Sequence, residues 1–203
     1  MKFSPALLAW LIAFSALERA PASVHVLVGP TPIPRGNARA AGDITVVNEK
    51  LAFALAVESP APYGVPRGAL IALAPVRHGQ IERNRVVFAD FIPNNWSAWP
   101  NTYHRVEVLE HGPQQARIRA LRDWGEVTIT TLYTLASGSD EIAITTTMTN
   151  GGSRSLPAAL PSVTPASPGT ANRNPLFGQS VRPESRSGRL RDPPLVMVVV
   201  MAI

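Results

Sequence analysis

Apolar and polar residues alternate with a period of two over much of the region between Gly42 and Asn150. Such alternation is typical of β-strands that bury one face, because successive side chains of a strand point to opposite faces. The pattern is clearest in the second half of the region. It predicts strands over His104–Leu109, Gln115–Leu121, Glu126–Leu135 and Glu141–Thr149. The last two are rich in threonine and other β-branched residues, and no helical period competes with them.

The alternation also assigns a buried face to these four strands. The apolar residues expected on that face are Val106, Val108, Ala116, Ile118, Ala120, Val127, Ile129, Tyr133, Ile142, Ile144 and Met148. Turns rich in glycine, serine and aspartate, at Asp123–Gly125 and Ser137–Asp140, separate the later strands. Strands joined in this way form an antiparallel meander with one solvent-facing side.

Shorter apolar runs precede the meander. They predict strands over Asp43–Val47, Leu51–Val57, Ala69–Leu73 and Arg85–Phe88, with a proline-rich loop at Ser59–Gly68. The sequence therefore predicts one all-β domain over residues 42–150, an antiparallel β-sandwich, which is incomplete if the chain has been cut short.

The N-terminus carries the pattern of a secretory signal peptide. Lys2 precedes an apolar segment, Phe3–Leu17, and Ala20-Pro21-Ala22 matches the small-residue pattern of a cleavage site. The alternative is an uncleaved amphipathic helix or anchor, but the apolar segment is shorter than the roughly 20 residues that span a bilayer. We expect a signal peptide over residues 1–22 and a secreted or periplasmic protein.

Two proline-rich segments flank the predicted domain. Residues 23–41, with alternating prolines, are expected to form an extended linker. Residues 151–203 hold eight prolines and six arginines against two acidic residues, which predicts a disordered tail. The tail ends in an apolar run, Leu195–Ile203, that is too short to span a membrane. A natural tail and a truncation or frame change in a longer ancestor both fit this abrupt change of composition.

Composition and charge exclude several classes of function. The 203 residues include no cysteine, which excludes disulfide scaffolds, cysteine-containing zinc sites and cysteine nucleophiles. No apolar run reaches the roughly 18 to 20 residues of a membrane-spanning helix, so no integral membrane span is expected. The net charge of +5 belongs mostly to the tail, because 13 basic and 12 acidic residues lie up to Asn150. A near-neutral domain predicts no nucleic-acid partner. The sequence assigns no oligomeric state.

A loop rich in aromatic and amide side chains is the main candidate site. The residues assigned to ligand binding are Asn94, Asn95, Trp96, Trp99, Asn101 and Tyr103. Flat rings cover the apolar face of a sugar and amides bond its hydroxyl groups, so this composition favours a carbohydrate or cell-envelope glycan as the partner. The alternative is that Trp96 and Trp99 fill one end of the sandwich while the asparagines form turns.

Catalytic and metal-binding candidates are weaker. His104, Glu107 and His111 would share one face of a helix, but the alternation makes this segment a strand, which sends His104 and Glu107 to opposite faces. Asp123 and Glu126 flank a turn, where exposed carboxylates are commoner than acid/base pairs. We therefore predict no catalytic residue, no metal site and no cofactor, and the interpretation favours a protein that is not an enzyme.

Three arginines follow one another closely in the meander. Arg117, Arg119 and Arg122 would form a small basic strip if they shared a face. We expect them instead to lie on the solvent-facing side as cross-strand partners of Glu107 or Glu126.

The stretch from Glu126 to Asn150 supports a family resemblance. Its Thr-Ile-Thr-Thr-Leu-Tyr-Thr-Leu strand, Ser-Gly-Ser-Asp turn and Ile-Ala-Ile-Thr-Thr-Thr-Met-Thr-Asn strand resemble the central hairpin of galactose-mutarotase-like β-sandwiches. Similar sandwiches precede the catalytic domain of secreted PHP-type metallohydrolases. The resemblance covers Gly42–Asn150 and implies a sandwich with binding surface near the aromatic loop. The hydrolases' metal-binding histidines and the mutarotases' catalytic His/Glu pair have no counterpart here.

These observations lead to one expected function and two alternatives. We expect an exported, non-catalytic β-sandwich module that binds carbohydrate through the aromatic loop. The first alternative is the N-terminal scaffold of a larger secreted metal-dependent hydrolase. The second is a truncated product without function.

Overall fold

The architecture was established from a computed structural model. The structure describes residues 23–60, 67–92, 103–152, 162–166, 182–183 and 195–202. The strands are β1 (His25–Val28), β2 (Ile44–Val47), β3 (Leu51–Leu55), β4 (Leu70–Arg77), β5 (Gln80–Ile81), β6 (Phe88–Ile92), β7 (Arg105–His111), β8 (Gln115–Trp124), β9 (Val127–Ala136), β10 (Glu141–Asn150), β11 (Ser162–Ala166), β12 (Arg182–Pro183) and β13 (Leu195–Ala202). The described residues include no helix, hence none long and apolar enough to cross a membrane.

The strands pair into two antiparallel sheets. The first has the order β1-β2-β3-β4-β6-β11, with β5 paired to β4, and the second has the order β12-β13-β10-β9-β8-β7. The two sheets share one apolar core, in which the rings of Phe53 on β3 and Tyr133 on β9 lie with centroids 6.2 Å apart. The predicted all-β, antiparallel class is confirmed, with the strands arranged in two sheets.

The second sheet contains the meander where the alternation predicts it. Strands β7 to β10 overlap the four predicted ranges, extended by up to three residues. Nine of the eleven residues assigned to the buried face are buried in the core, and Val106 and Val108 on the edge strand β7 pack against it partly buried. The alternation therefore predicts both the strands and their orientation, because one face of this sheet must be removed from water.

One strand of the first sheet lies elsewhere than expected. The prediction of a strand over Arg85–Phe88 is wrong, since β6 begins only at Phe88. The Asn84 side chain accepts hydrogen bonds from the N–H groups of Leu73 (2.9 Å) and Val86 (3.2 Å) and donates to the Val86 carbonyl (2.6 Å). These side-chain bonds, together with the backbone bond from Arg85 N–H to the Leu73 carbonyl (2.8 Å), take the place of a regular ladder in this segment.

The segment predicted to be a linker belongs to the fold. Its residues 25–28 form β1, an edge strand paired with β2, and Val24 N–H donates to the Pro113 carbonyl across to the second sheet (3.1 Å). Further along, Ile33 and Ala38 are buried on the outer face of the first sheet. That face is lined by fully buried alanines at positions 52, 54, 72 and 74. Prolines fit here because edges and turns leave many backbone N–H groups without a ladder partner.

The predicted disordered tail also contributes strands. β13 pairs with β10 over eight residues, and β11 pairs with β6. Met201 of β13 is 3% exposed and belongs to the core between the sheets. The uncharged, β-prone run at the end of the chain thus covers the edge of β10, which would otherwise expose unpaired backbone groups.

The two ends of the sheets differ in their connections. At one end, called here the turn end, strands are joined by the short turns at residues 48–50, 78–79, 112–114 and 137–140. At the other, called the loop end, lie Arg67, Ile92, Tyr103, Gly152 and Ser162, which border the segments 61–66, 93–102 and 153–161. Binding residues occur preferentially on connections that a rigid scaffold supports. The loop end is therefore the candidate binding site.

Asn48 joins the two sheets at the turn end. Its amide Nδ2 donates to the carbonyls of Ala136 and Ser139 in the β9–β10 turn, both at 2.7 Å. Its Oδ1 accepts from the N–H groups of Lys50 (2.9 Å) and Leu51 (2.7 Å) in its own turn. Asn48 is 3% exposed, so these four bonds are largely shielded from water.

We predict that Asn48→Ala lowers the free energy of unfolding by about 2–3 kcal/mol, because buried backbone groups in both turns lose their partners. Urea unfolding followed by circular dichroism measures this loss. Glu49→Ala, at the exposed neighbouring position, is the control and should change stability by less than about 0.5 kcal/mol. Equal stability of the two variants would show that Asn48 does not hold the sheets together.

Candidate functional site

Most of the predicted ligand-binding residues lie outside the part of the chain that the structure describes. These are Asn94, Asn95, Trp96, Trp99 and Asn101. Tyr103, the last of the set, is described and is only 4% exposed. The structure therefore places Tyr103 in the core at the loop end, immediately after the segment 93–102.

Tyr103 is held by the start of β4. Its backbone N–H donates to the Arg67 carbonyl at 3.0 Å. A Cβ atom added at Gly68 would come within 2.6 Å of the Tyr103 ring, so the ring packs directly on the glycine backbone. Gly68 also has a φ of +95°, in the region that favours glycine, and its carbonyl accepts the Tyr133 hydroxyl at 3.2 Å. Gly68 thus lies between two tyrosines and links the two sheets at the loop end.

Arg122 lies under the same ring. Its guanidinium carbon is 4.5 Å from the centroid of Tyr103, a cation–π geometry, and the residue is 0% exposed. The prediction that Arg122 faces solvent is therefore wrong. Strict alternation from Ala116 through Ala120 places position 122 on the inward face, and the ring of Tyr103 supplies an environment that stabilises the buried charge.

Two buried threonines extend this polar cluster. Thr131 on β9 and Thr146 on β10 are cross-strand partners, and their hydroxyl oxygens are 3.2 Å apart. The Tyr103 hydroxyl lies 3.4 Å from the Thr131 hydroxyl. Both threonines are at most 2% exposed. Sequence reasoning missed Thr131, Thr146 and Arg122 as interior groups because it assigned only apolar residues to the buried face, although the alternation already marked their positions.

Asp43 anchors the chain where β3 leads into the loop end. Its Oδ1 accepts N–H bonds from Val57 (2.9 Å), Glu58 (3.0 Å) and Ser59 (3.0 Å). Its Oδ2 accepts from Ala40 N–H (2.9 Å) and the Ser59 hydroxyl (2.5 Å). Burial raises the pKa of this carboxyl, but the hydrogen bonds from Ser59, Glu58 and Ala40 lower it by more, so the pKa lies below its ordinary value.

The outer face of the second sheet carries an ion-pair network. Glu107 on β7 accepts from Arg119 Nε on β8 at 2.6 Å and from Arg105 Nε at 2.7 Å. The hydrogen bond from Arg119 holds the pKa of Glu107 below its usual range, against a smaller opposing effect of burial. Arg117 reaches Glu110 at 3.9 Å. The cross-strand pairing of Arg119 with Glu107 is thus confirmed.

The other ionisable groups described here belong to the loop end and are exposed. His104 Nδ1 lies 3.8 Å from Asp123 Oδ2, and the Thr128 hydroxyl donates to Asp123 Oδ1 at 3.2 Å. No cluster of three or more histidine, aspartate or glutamate residues among the described positions is arranged to hold a metal ion. Among the described residues of the loop end, Asp43 holds the backbone in position through hydrogen bonds. Gly68 packs against the ring of Tyr103.

We predict that the contribution of Asp43 to stability depends on pH. Because its pKa in the folded state lies below the ordinary value of 3.8, the carboxylate stabilises the fold at pH above about 4 and loses this effect as the pH falls through the lowered pKa. Asp43→Asn should cost about 2 kcal/mol at neutral pH.

Urea midpoints of the wild type and Asp43→Asn, measured from neutral pH downwards, test this dependence. The difference between them should shrink in acid. Asp140→Asn, at an exposed turn position, serves as the control with little effect at any pH. A difference that is constant with pH would contradict the role assigned to the carboxylate.

We also predict that Tyr103 acts through its ring. Tyr103→Ala should lower the free energy of unfolding by about 3–5 kcal/mol, since it leaves a cavity and removes the surface against which Arg122 packs. Tyr103→Phe keeps the ring and should cost less than about 1 kcal/mol, because the contact of the hydroxyl with Thr131 is long, at 3.4 Å. Thermal or urea unfolding of both variants measures the loss in the free energy of unfolding. Comparable losses for the two variants would contradict the prediction.

The chain was compared with protein-family models, with curated proteins and with solved structures. No family model matches it, and neither a curated protein nor a solved structure does. The candidate site at the loop end is therefore defined by the residues of this chain alone.

Proposed function

We propose that the protein is an exported, non-catalytic β-sandwich module that binds carbohydrate, such as cell-envelope glycan, at the loop end. Trp96 and Trp99 provide the stacking rings in this proposal. Asn94, Asn95 and Asn101 bond the hydroxyl groups of the sugar. Tyr103 supports the segment from the core.

The observation that carries this proposal is the way both ends of the segment 93–102 are attached. It begins after Ile92, whose strand β6 pairs with β4 on one side and β11 on the other. It ends at Tyr103, which is fixed by Arg67, Gly68 and Arg122. A binding segment with both ends attached to a rigid scaffold loses less conformational freedom when a ligand binds.

The composition of the segment supports a sugar as its ligand. Two tryptophans and three asparagines fall within eight residues, from Asn94 to Asn101. Sugars present an apolar face and many hydroxyl groups, and this combination of rings and amides matches both. Pro93 and Pro100 restrict the backbone at either end of the segment and reduce the freedom that binding would remove.

The chemistry of the surrounding groups supports binding without catalysis. The buried carboxylate at the loop end, Asp43, accepts five hydrogen bonds from its neighbours. A general acid or base needs a pKa near the working pH, whereas these bonds move the pKa of Asp43 further below it.

We predict that Trp96→Ala and Trp99→Ala each weaken glycan binding by about tenfold, because each removes one stacking ring. Affinity electrophoresis in gels that contain polysaccharides, followed by a glycan array, provides the measurement. Leu109→Ala is the matched control, since Leu109 is an exposed apolar residue on the edge strand β7 and lies outside the segment. Its retardation in the gel should equal that of the wild type.

The same electrophoresis experiment can overturn the proposal. If the wild type and both tryptophan variants show the same mobility with every polysaccharide, the loop end does not bind glycans. Circular dichroism of each variant confirms that the comparison is made between folded proteins.

A further inference from the structure

A group of basic residues covers the first sheet towards the turn end, away from the proposed glycan site. The basic patch consists of Arg35, Lys50, Arg77, Arg83 and Arg85. Four of these residues are exposed, and Arg85 is partly so, with 34% of its side chain accessible. They come from three separate parts of the chain, which are the turn at Arg35, the turn at Lys50 and residues 77–85, and the patch therefore exists only in the folded protein.

Backbone hydrogen bonds bring these three parts of the chain together. Asn84 N–H donates to the Pro34 carbonyl at 2.9 Å, which sets Arg35 beside the segment that carries Arg83 and Arg85. Val76 N–H donates to the Lys50 carbonyl at 2.7 Å, next to Arg77. The first bond holds the turn at Arg35 against the segment that follows β5, and the second holds the turn at Lys50 against β4. The main chain therefore sets the positions of the basic residues.

The patch contains a large excess of positive charge. Glu82 is shared by Arg77, at 3.4 Å, and Arg85, at 2.8 Å, and Glu49 is the neighbour of Lys50 in its turn. Two carboxylates therefore accompany five basic groups. Residues 23–152 as a whole carry eleven basic and eleven acidic residues, so the imbalance is local to this surface.

Backbone conformation at the edge of the patch is unusual. Arg35 and His78 are the described non-glycine residues with positive φ, at 62° and 52°. His78 occupies the tip of the β4–β5 hairpin, where Asn or Gly would adopt this conformation at lower cost. Residues held in such conformations cluster at functional surfaces more often than elsewhere.

We propose that the basic patch docks the protein on the surface of a bilayer that contains anionic phospholipids. Four of the basic residues are exposed and come from separate parts of the chain, so they present separate point charges, which match an array of phosphate headgroups better than a single enclosed anion. The loop end lies at the opposite end of the sheets and would face away from the bilayer, accessible to glycans. This proposal stands independently of the proposed glycan site.

Vesicle co-sedimentation of the full chain tests the proposal. The wild type should bind vesicles of phosphatidylglycerol and phosphatidylcholine more tightly at about 0.01 M than at about 0.15 M salt, because salt screens the charges. Each arginine near an anionic surface contributes about fivefold to binding. The double variant Arg77→Gln/Arg83→Gln should therefore bind about 25-fold more weakly at low salt.

Two further variants make the comparison specific. Arg117→Gln, on the outer face of the second sheet, removes one positive charge from a different surface and should bind as the wild type does. Arg35→Gln/Lys50→Gln removes charge from the other two turns of the patch and should weaken binding as the first double variant does. Arginines in residues 151–203 are common to all variants and cancel in these comparisons.

Three outcomes would overturn the proposal. The first is equal vesicle binding by the wild type and both double variants, which circular dichroism shows to be folded. The second is equal binding to vesicles of phosphatidylcholine alone. The third is stronger binding to a soluble acidic polysaccharide than to anionic vesicles, lost in the same double variants, which would assign the patch to a polyanionic glycan.

Discussion

Two hydrogen bonds donated by the Asn48 amide cross from one sheet to the other and help to set how the two sheets are placed on one another. A β-sheet positions its own strands through backbone bonds, but two facing sheets in contact through apolar side chains have no comparable directional link. Asn48 supplies that link at the turn end by bonding carbonyls of the β9–β10 turn while closing its own turn. The hydroxyl of Tyr133, which donates to the Gly68 carbonyl, provides a second link at the loop end. Directional bonds at both ends thus supplement a core that by itself is non-directional.

This arrangement gives the loop end a rigid base. Asp43 holds the chain shortly before the segment 61–66. Tyr103 follows the segment 93–102, and its ring packs between Gly68 and Arg122. Both anchors are buried and bonded to the main chain, so they restrict the positions from which the connecting segments start and end. The turn end, in contrast, joins its strands by short turns and presents charge on its outer side. The two proposed surfaces differ for this reason. One depends on segments whose ends are attached to buried residues, and the other depends on charges fixed by short turns.

The candidate site was only partly predictable. The aromatic and amide composition of the segment before Tyr103 was evident from the sequence, and it motivates the glycan proposal. The burial of Arg122, in contrast, contradicted the usual preference of arginine for the surface, and the contact with the Tyr103 ring, which helps to accommodate the charge, is visible only in the structure. Asp43 carried no sequence signal that separates it from an ordinary turn aspartate, because its bond donors come from residues up to sixteen positions away.

Local sequence patterns were sufficient to predict the strands of the meander and the orientation of their faces. A period of two is a local property, and burying one face of a sheet requires it, so Val127, Ile129 and Ile142 were placed correctly without any knowledge of their partners. The roles of the flanking segments, in contrast, depend on the folded arrangement of the chain. Residues 25–28 and 195–202 lack alternation, and they become strands because β2 and β10 offer backbone groups that need partners. Pairing of that kind depends on which strand edges remain free after the rest of the chain has folded, and no local pattern contains this information.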